Sequence, residues 1–169
     1  MGFESGLKHP ISGLDHVLAM VAVGIWGSQL GSPAVWLLPV AFPLVMSIGG
    51  AMGVRGVPLA GVEIGVALSA LALGLMIALA ARPPLWIAAA LVSIFAVFHG
   101  YAHGTELPHA AAPLAYGVGF VTATGLLHAS GIGLGALGRW PLGQRALRLA
   151  GVAIAVTGAC LVGGLVRPL

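Results

Sequence analysis

The sequence predicts an all-α integral membrane protein, a bundle of six transmembrane helices joined by short loops. Of its 169 residues, 59% are hydrophobic and 7% are charged, whereas a soluble domain has about 25% charged residues. The mean hydropathy is +1.08. At ~20 residues per span, the chain has room for about six helices and for no domain outside the membrane.

Proline and glycine residues divide the chain into six apolar segments. Pro39 and Pro43 lie inside the second segment and should kink it, with neighbouring helices satisfying the freed carbonyl groups. The Pro83–Pro84 pair and the Trp140–Pro141 turn mark loops. We treat residues 1–169 as a single membrane domain. Its predicted helices 1 to 6 cover about residues 13–30, 33–53, 59–81, 85–107, 112–137 and 144–166.

The composition excludes several classes of function. The single cysteine, Cys160, rules out an internal disulfide and any cysteine-based zinc or iron–sulfur site. Its apolar surroundings in the sequence predict a small buried side chain. The single lysine, Lys8, lies outside any phosphate-loop pattern, so ATP hydrolysis by this chain is not expected. Seven Lys and Arg residues are too few and too scattered for a nucleic-acid-binding face.

The cationic residues predict the orientation of the bundle. With six spans, both termini lie on one side of the membrane. The terminal side carries Lys8, Arg55 and Arg167. The opposite side carries Arg82, Arg139, Arg145 and Arg148. This excess of arginine predicts that the termini are outside the cytoplasm. The four tryptophans are predicted to form one interfacial belt on the arginine-rich side: Trp26, Trp36, Trp86 and Trp140.

The ionisable residues of the spans converge on the terminal side. Helix 1 begins within the segment His9–His16, helix 3 carries Glu63 near its start, and helix 4 ends with the segment Phe98–Glu106. Ionisable side chains in a membrane are costly and are candidates for function by default. The convergence of imidazoles and carboxylates at one face is therefore the strongest functional signal in the sequence.

The end of helix 4 has the spacing of a metal-binding motif. His99 and His103 are one helical turn apart and Glu106 is three residues further, so all three project from one face. An i, i+4 histidine pair can grip one ion. Gly100 and Gly104 remove side-chain bulk beside the histidines and should let helix 1 approach closely. The alternative is a polar stripe that is hydrogen-bonded to a neighbouring helix.

The start of helix 1 allows two interpretations. Ser12 and Asp15 fit a capping box, in which Asp15 stabilises the helix N-terminus. Alternatively, Asp15 and His16 are metal ligands. His9 precedes Pro10 in chain that we expect to be non-helical and to fold back over the mouth of the site.

Four further residues also have two interpretations each. Glu63 is either a first-turn partner of the helix dipole or a site residue. His128, deep in helix 5, either relays an ion or proton or donates to a carbonyl. Phe42, between two prolines, is either a constriction of a pathway or core packing. Met20, one turn below His16, either lines a pathway or fills space.

Imidazole and carboxylate ligands without thiolate suit nickel, cobalt, zinc or copper, whereas calcium and magnesium want more oxygen ligands. We expect helices 1 and 4 to pack side by side, so that Asp15 and His16 come within coordination distance of His103 or Glu106. Two other functions fit the same residues. A metal-dependent hydrolase would use His99, His103 and Glu106. A bis-histidine haem protein would use His99 and His128.

Two motifs resemble those of the HupE/UreJ family of small membrane proteins. They are H-P-x-x-G-x-D-H, here His9–His16, and F-H-G-x-A-H-G-x-E, here Phe98–Glu106. The resemblance implies a nickel permease of the bacterial inner membrane that acts as a secondary carrier or facilitator and is linked to hydrogenase or urease maturation. It implies these metal-handling positions: His9, Asp15, His16, Glu63, His99, His103 and Glu106. The transport pathway would add Met20, Phe42 and His128.

The partners expected on this basis are a divalent metal ion and membrane lipids. The ion is nickel, with cobalt or zinc as alternatives, and it is the transported substrate; no resident cofactor, catalytic residue or nucleic-acid partner is expected. The sequence leaves open whether the protein forms a homo-oligomer.

Overall fold

The computed structural model describes residues 2–106 and 112–166, and within them the regular structure is helical. Helices α2 to α7 correspond to the six predicted helices, and α1 precedes them. A short 3₁₀ helix, Ala136–Arg139, connects α6 to α7. The predicted end of helix 4 at Leu107, and Arg167, lie outside the described residues. The seven helices are α1 (Gly2–Ser12), α2 (Leu14–Leu30), α3 (Ala34–Val54), α4 (Val62–Ala78), α5 (Leu85–Thr105), α6 (Pro113–Gly135) and α7 (Pro141–Val166).

The protein is an all-helical membrane protein with four or five candidate spans in the described chain. Four helical segments are long and apolar enough to cross a membrane: Ala34–Val54, Leu85–Thr105, Leu114–Arg139 and Pro141–Leu165. Helices α1 and α2 pass the same test only as a pair, which is bent by 83° at its break. Helix α4 is apolar but has 17 residues, the lower limit of a span. Exactly six spans therefore remain a prediction.

Helix α1 corrects the expectation that His9 lies in non-helical chain. His9 and Pro10 belong to the last turn of α1. The helix packs along the start of α6, where a Cβ added at Gly6 would overlap the backbone carbonyl of Tyr116. Gly6 and Pro10 are poor helix formers, but both are buried in this contact. Tertiary packing thus overrides the weak local propensity of the segment.

Glycines bring α3 and α5 together as a parallel pair. A Cβ at Gly100 would overlap the carbonyl of Met46, and one at Gly49 would overlap the carbonyl of Val97. Gly53 and Gly104 make the same kind of close approach between these two helices. The expectation that Gly100 and Gly104 admit helix 1, which is α2, was therefore wrong, because these glycines face α3.

Two more glycine contacts complete the bundle. Gly24 of α2 lies against the backbone of His128 and Gly131 in α6, and the two helices run in the same direction. Helix α7 runs antiparallel to α4, with Gly74 and Gly151 at the point of closest approach. Small residues of this kind allow helix backbones to pack tightly in lipid.

The predicted tryptophan belt holds for three of its four members. Trp36, Trp86 and Trp140 are exposed, at or next to the starts of α3, α5 and α7. Trp26 is fully buried, and its indole Nε1–H donates to the carbonyl of Ala81 at 3.0 Å. It ties α2 to the segment that follows α4, so its role is packing and not anchoring at the interface.

Candidate metal centre

Three side chains near the ends of two helices form a possible metal-binding group. His9 comes from the last turn of α1, His103 from the last turn of α5, and Glu106 follows α5 directly. His9 Nε2 lies 3.2 Å from Glu106 Oε2, and one ligand atom of each residue lies within 4.8 Å of the others. Ligand atoms that share one ion are about 3–4 Å apart. A modest contraction would therefore seat an ion among these residues.

A carboxylate orients the imidazole of His16. Oδ1 of Asp15 accepts hydrogen bonds at 2.9 Å from both Nδ1 and the backbone N–H of His16. Because the carboxylate can only accept, Nδ1 carries the proton and Nε2 keeps its lone pair. Nε2 is buried and has no hydrogen-bond partner among residues 2–106 and 112–166. A carboxylate behind an imidazole is a common arrangement around bound metals, where it fixes the ring and raises its basicity.

Of the two interpretations of this helix start, the capping box is not formed. The N-cap of α2 is Gly13, which has no side-chain bond to offer. The hydroxyl of Ser12 donates to the carbonyl of His9 at 2.6 Å. A Cβ at Gly13 would lie 2.9 Å from Oδ1 of Asp15 and 3.0 Å from Nδ1 of His16. The glycine therefore makes room for the Asp15–His16 pair at the break between α1 and α2.

Ser69 orients His99, and sequence reasoning missed it. The Ser69 hydroxyl donates to the carbonyl of Val66 at 2.6 Å and lies 2.8 Å from Nε2 of His99. Its one proton is already used, so it accepts from Nε2–H, and Nδ1 of His99 keeps the lone pair. Nδ1 is buried and makes no hydrogen bond within the part of the chain that the structure describes. One signal could have revealed this residue, since Ser69 and Glu63 are the only polar side chains of α4.

The aromatic rings of the site form a series that runs inward to the core. It starts at the group of His9, His103 and Glu106, which we call the outer group. Each histidine contacts the next one, and Phe42 contacts both His99 and His128. The centroid distances are 4.8 Å for His9–His103, 4.3 Å for His103–His16, 4.7 Å for His16–His99, 5.5 Å for His99–Phe42 and 5.5 Å for Phe42–His128. The series joins residues of α1, α2, α3, α5 and α6.

The deeper histidines are buried without partners for several of their nitrogens. Both ring nitrogens of His103 and both of His128 lack a hydrogen bond within the described protein. Buried polar atoms are normally paired, so each exception needs an explanation. Neutral imidazole nitrogens are good ligands for divalent transition metals. The residues present thus suit an ion that moves among them.

A cavity of about 500 Å³ leads to this series from the terminal end of the bundle. It is lined by residues of α2, α4, α5 and α7, among them Asp15, His16, Glu63 and Glu106. Cys160 of α7 also lines it and is exposed, which corrects the prediction of a buried cysteine. The three carboxylates give the cavity the charge that attracts cations.

The structure brings some of the positions proposed from the sequence into contact and leaves others apart. His16 contacts both His99 and His103, although α5 packs on α3. Glu106 lies with His9 and His103, while Glu63 stands on the cavity wall outside that group. The pathway positions Met20, Phe42 and His128 are buried in the core.

Comparison with known proteins supports one family. Its sequence model, described as HupE / UreJ protein, matches residues 1–161. Protein HupE of Rhizobium leguminosarum bv. viciae is 48% identical over 163 residues, which cover 96% of this chain and 85% of that protein. No solved structure matches this chain. On the strength of the sequence match, the chain belongs to the HupE/UreJ family.

Proposed function

We propose that this protein takes up nickel, and cobalt less readily, across the bacterial inner membrane as a secondary transporter or facilitator. The observation that carries the proposal is the series of aromatic rings, four histidines followed by Phe42 and His128, that runs from the carboxylate-lined cavity to the core. The centroids of neighbouring rings are no more than 5.5 Å apart. Among the first four rings, from His9 to His99, an ion can therefore exchange one imidazole for the next in short steps.

The cavity at the terminal end of the bundle, which we call the outer cavity, captures the ion. Asp15, Glu63 and Glu106 line it, and their negative charges raise the local concentration of cations. His9, His103 and Glu106 then replace part of the hydration shell of the ion. Nitrogen and oxygen ligands without thiolate favour nickel, cobalt or zinc over softer ions.

The inner histidines are held ready to coordinate. Asp15 fixes His16 with Nε2 as the ligand atom, and Ser69 fixes His99 with Nδ1 as the ligand atom. Rings that are oriented before the ion arrives lose little entropy on binding. Several modest sites in a row suit conduction better than one tight site, because the ion must also leave.

Phe42 is the apolar step of the pathway. Its ring contacts His99 on the outer side and His128 on the inner side, and it is fully buried. An ion that passes it must do so without ligands, so Phe42 limits leakage and makes passage depend on a rearrangement of the ring. Orientation follows from the charges: the carboxylate end faces the periplasm, as do the termini, and the arginine end faces the cytoplasm.

A metal-dependent hydrolase remains the second candidate because two histidines and one glutamate are also the ligand set of hydrolytic zinc sites. Such an enzyme has no use for further unpaired imidazoles leading away from the metal. The haem alternative is less favoured, since Nε2 of His99 is bonded to Ser69 and Phe42 contacts both His99 and His128.

The deciding experiment measures radioactive nickel uptake into proteoliposomes that contain the purified protein. We expect uptake of nickel, weaker uptake of cobalt, and a loss of at least about tenfold in His103→Gln and Glu106→Gln. Glu4→Gln is the matched control. Glu4 is an exposed carboxylate of α1 that pairs with Lys8 at 2.6 Å and lies outside the metal group.

Wild-type uptake in His103→Gln would contradict the transport pathway. Metal-dependent cleavage of casein by the purified protein, lost in Glu106→Gln and not accompanied by nickel uptake, would establish the hydrolase instead.

A further inference from the structure

A second cavity lies at the opposite end of the bundle and has the opposite charge. It has a volume of about 690 Å³. Three arginines from three different elements line it: Arg82 from the segment between α4 and α5, Arg139 from the 3₁₀ helix, and Arg148 from α7. The amide side chains of Gln29 and Gln144 are also part of its wall. In the sequence these arginines are scattered, and the fold collects them.

Among the described residues, these arginines form no ion pair with a carboxylate. The whole sequence contains four acidic residues, and three of them line the outer cavity, while the fourth pairs with Lys8. They are Asp15, Glu63, Glu106 and Glu4. Three guanidinium groups that line one concave surface create a positive potential there. An anion from outside the chain would therefore find three cations in this cavity that no carboxylate neutralises.

The neighbouring polar groups leave hydrogen-bonding capacity in the cavity. Arg139 uses its Nε–H for a bond of 3.3 Å to the carbonyl of Ala136, so its two terminal nitrogens stay available. The amide oxygen of Gln29, which has no partner among the described residues, is an acceptor, so the donors available to an anion come from the arginines. Gln144 donates to the carbonyl of Gly138 at 3.0 Å, which orients its side chain at the rim.

Guanidinium groups match the geometry of phosphate oxygens and bind them with two parallel hydrogen bonds.

Two exposed tryptophans at this end of the bundle indicate the level of the cavity in the membrane. Trp140 follows Arg139 directly and is exposed, as is Trp86. Exposed tryptophans of membrane proteins lie at the level of the lipid headgroups.

We propose that this arginine cavity binds a phosphate group, carried by the headgroup of an anionic phospholipid or by a soluble phosphate. Basic pockets between helices on the cytoplasmic side are known to hold anionic headgroups. The site does not depend on nickel transport, because it lies at the other end of the bundle and shares no residue with the metal centre.

The test measures anion binding to the purified protein in phosphatidylcholine nanodiscs. One arm adds phosphatidylglycerol to the nanodisc and the other adds inorganic phosphate to the buffer. Bound phosphatidylglycerol is counted by native mass spectrometry, and phosphate binding is followed by calorimetry. We expect each of Arg82→Gln, Arg139→Gln and Arg148→Gln to weaken binding about fivefold, the effect of one cation near a charged lipid surface.

Arg145→Gln is the matched control. Arg145 is an exposed arginine in the first part of α7, at the same end of the bundle, but it does not line the cavity. The variant loses the same charge and should bind as the wild type does. Arg148→Lys should recover part of the affinity, because the charge returns without the planar fork.

Selective binding of phosphatidylglycerol identifies a lipid site, and binding of inorganic phosphate by the same arginines identifies a site for soluble phosphates. The proposal is overturned if neither probe binds, or if Arg145→Gln loses as much affinity as the three cavity variants. The variants carry substitutions of exposed side chains, and an unchanged thermal midpoint in the absence of added anion verifies that they fold.

Discussion

The imidazole rings of His16 and His103 lie 4.3 Å apart, and this contact joins the two histidine motifs of the sequence into one site. His16 belongs to α2 and His103 to α5, yet α5 packs its glycine face on α3. The rings of His16 and His103 are in contact although the glycine face of α5 packs on a different helix. The function of the site therefore depends on the orientation of individual rings, and the residues that set this orientation can be tested.

The first prediction concerns Ser69. Replacing it with alanine removes the acceptor of His99 Nε2–H, so the orientation and tautomer of the ring are no longer fixed by this bond. We expect the affinity for nickel to fall by about tenfold or more, as for other residues that orient a metal ligand. X-ray absorption of the nickel-bound protein should show fewer imidazole ligands than in the wild type.

Ser47→Ala is the control for Ser69→Ala. Ser47 makes the same kind of hydrogen bond within its helix, to the carbonyl of Leu44 at 2.6 Å, but it is exposed and bonds no histidine among the described residues. Nickel affinity should not change in this variant. Equal affinities in Ser69→Ala and Ser47→Ala would show that the bond from His99 to Ser69 is only structural.

The second prediction concerns Asp15. Asp15→Asn keeps the size of the side chain but removes the charge that holds the Nδ1 proton of His16. Nickel uptake should fall by about tenfold to a hundredfold. Glu63→Gln, which removes a carboxylate from the same cavity without touching a histidine in the outer group, should slow uptake less. A larger loss of nickel uptake in Glu63→Gln than in Asp15→Asn would show that the negative charge of the cavity matters more than the orientation of His16.

The third prediction is the pH dependence of metal binding. A protonated imidazole cannot coordinate a metal, so nickel binding by histidine side chains competes with proton binding. The nickel affinity of the wild type should therefore decrease as the pH falls from about 7.5 to about 5. Calorimetry in buffers of different ionisation enthalpy measures the protons released.

His9→Gln should bind nickel more weakly than the wild type, because it removes one imidazole from the group. A nickel affinity that stays constant across this pH range in the wild type would contradict coordination by histidine.

The sequence predicted the helices well because apolar segments between proline and glycine residues define them. It failed at α1, where Gly6 and Pro10 disfavour a helix locally and packing against α6 favours one. It also failed to predict which helices pair. The small face of Gly100 and Gly104 is visible in the sequence, but its partner, α3, is not.

The residues of the candidate site also fall into those that the sequence reveals and those that only the packed structure reveals. His9, His16 and His103 stand out in the sequence because ionisable residues are rare in apolar segments. Ser69 does not stand out, because a serine within a membrane helix usually bonds its own backbone, and Ser69 does this as well. Its second bond, to His99, exists only once α4 and α5 are packed together.

The fourth prediction uses the natural cysteine as a reporter. Cys160 lines the outer cavity with Asp15 and Glu106 and is the only cysteine of the chain. A membrane-impermeant maleimide added outside right-side-out spheroplasts should label it, and bound nickel should slow the reaction. Cys160→Ser is the control for background labelling. Labelling of Cys160 only after the membrane is permeabilised would place this cavity on the cytoplasmic side and contradict the proposed orientation.

The fifth prediction separates binding from passage at His128. This residue is buried on α6, contacts Phe42 at 5.5 Å and lies beyond it from the outer metal group. His128→Gln preserves approximate size and polarity but replaces a good nitrogen ligand with an amide. Equilibrium binding of nickel in the outer group should change by less than about twofold, whereas uptake into proteoliposomes should fall by at least about tenfold.

Thr122→Val is the control for His128→Gln because it lies on the same helix, where its hydroxyl bonds the carbonyl of Val118 and is exposed. Its uptake should equal that of the wild type. If His128→Gln transports nickel at the wild-type rate at every pH tested, an ion does not need this imidazole and the pathway must leave the histidine series at His99. If instead the variant loses nickel binding along with uptake, His128 acts on the outer site through packing, and the division into capture and relay is wrong.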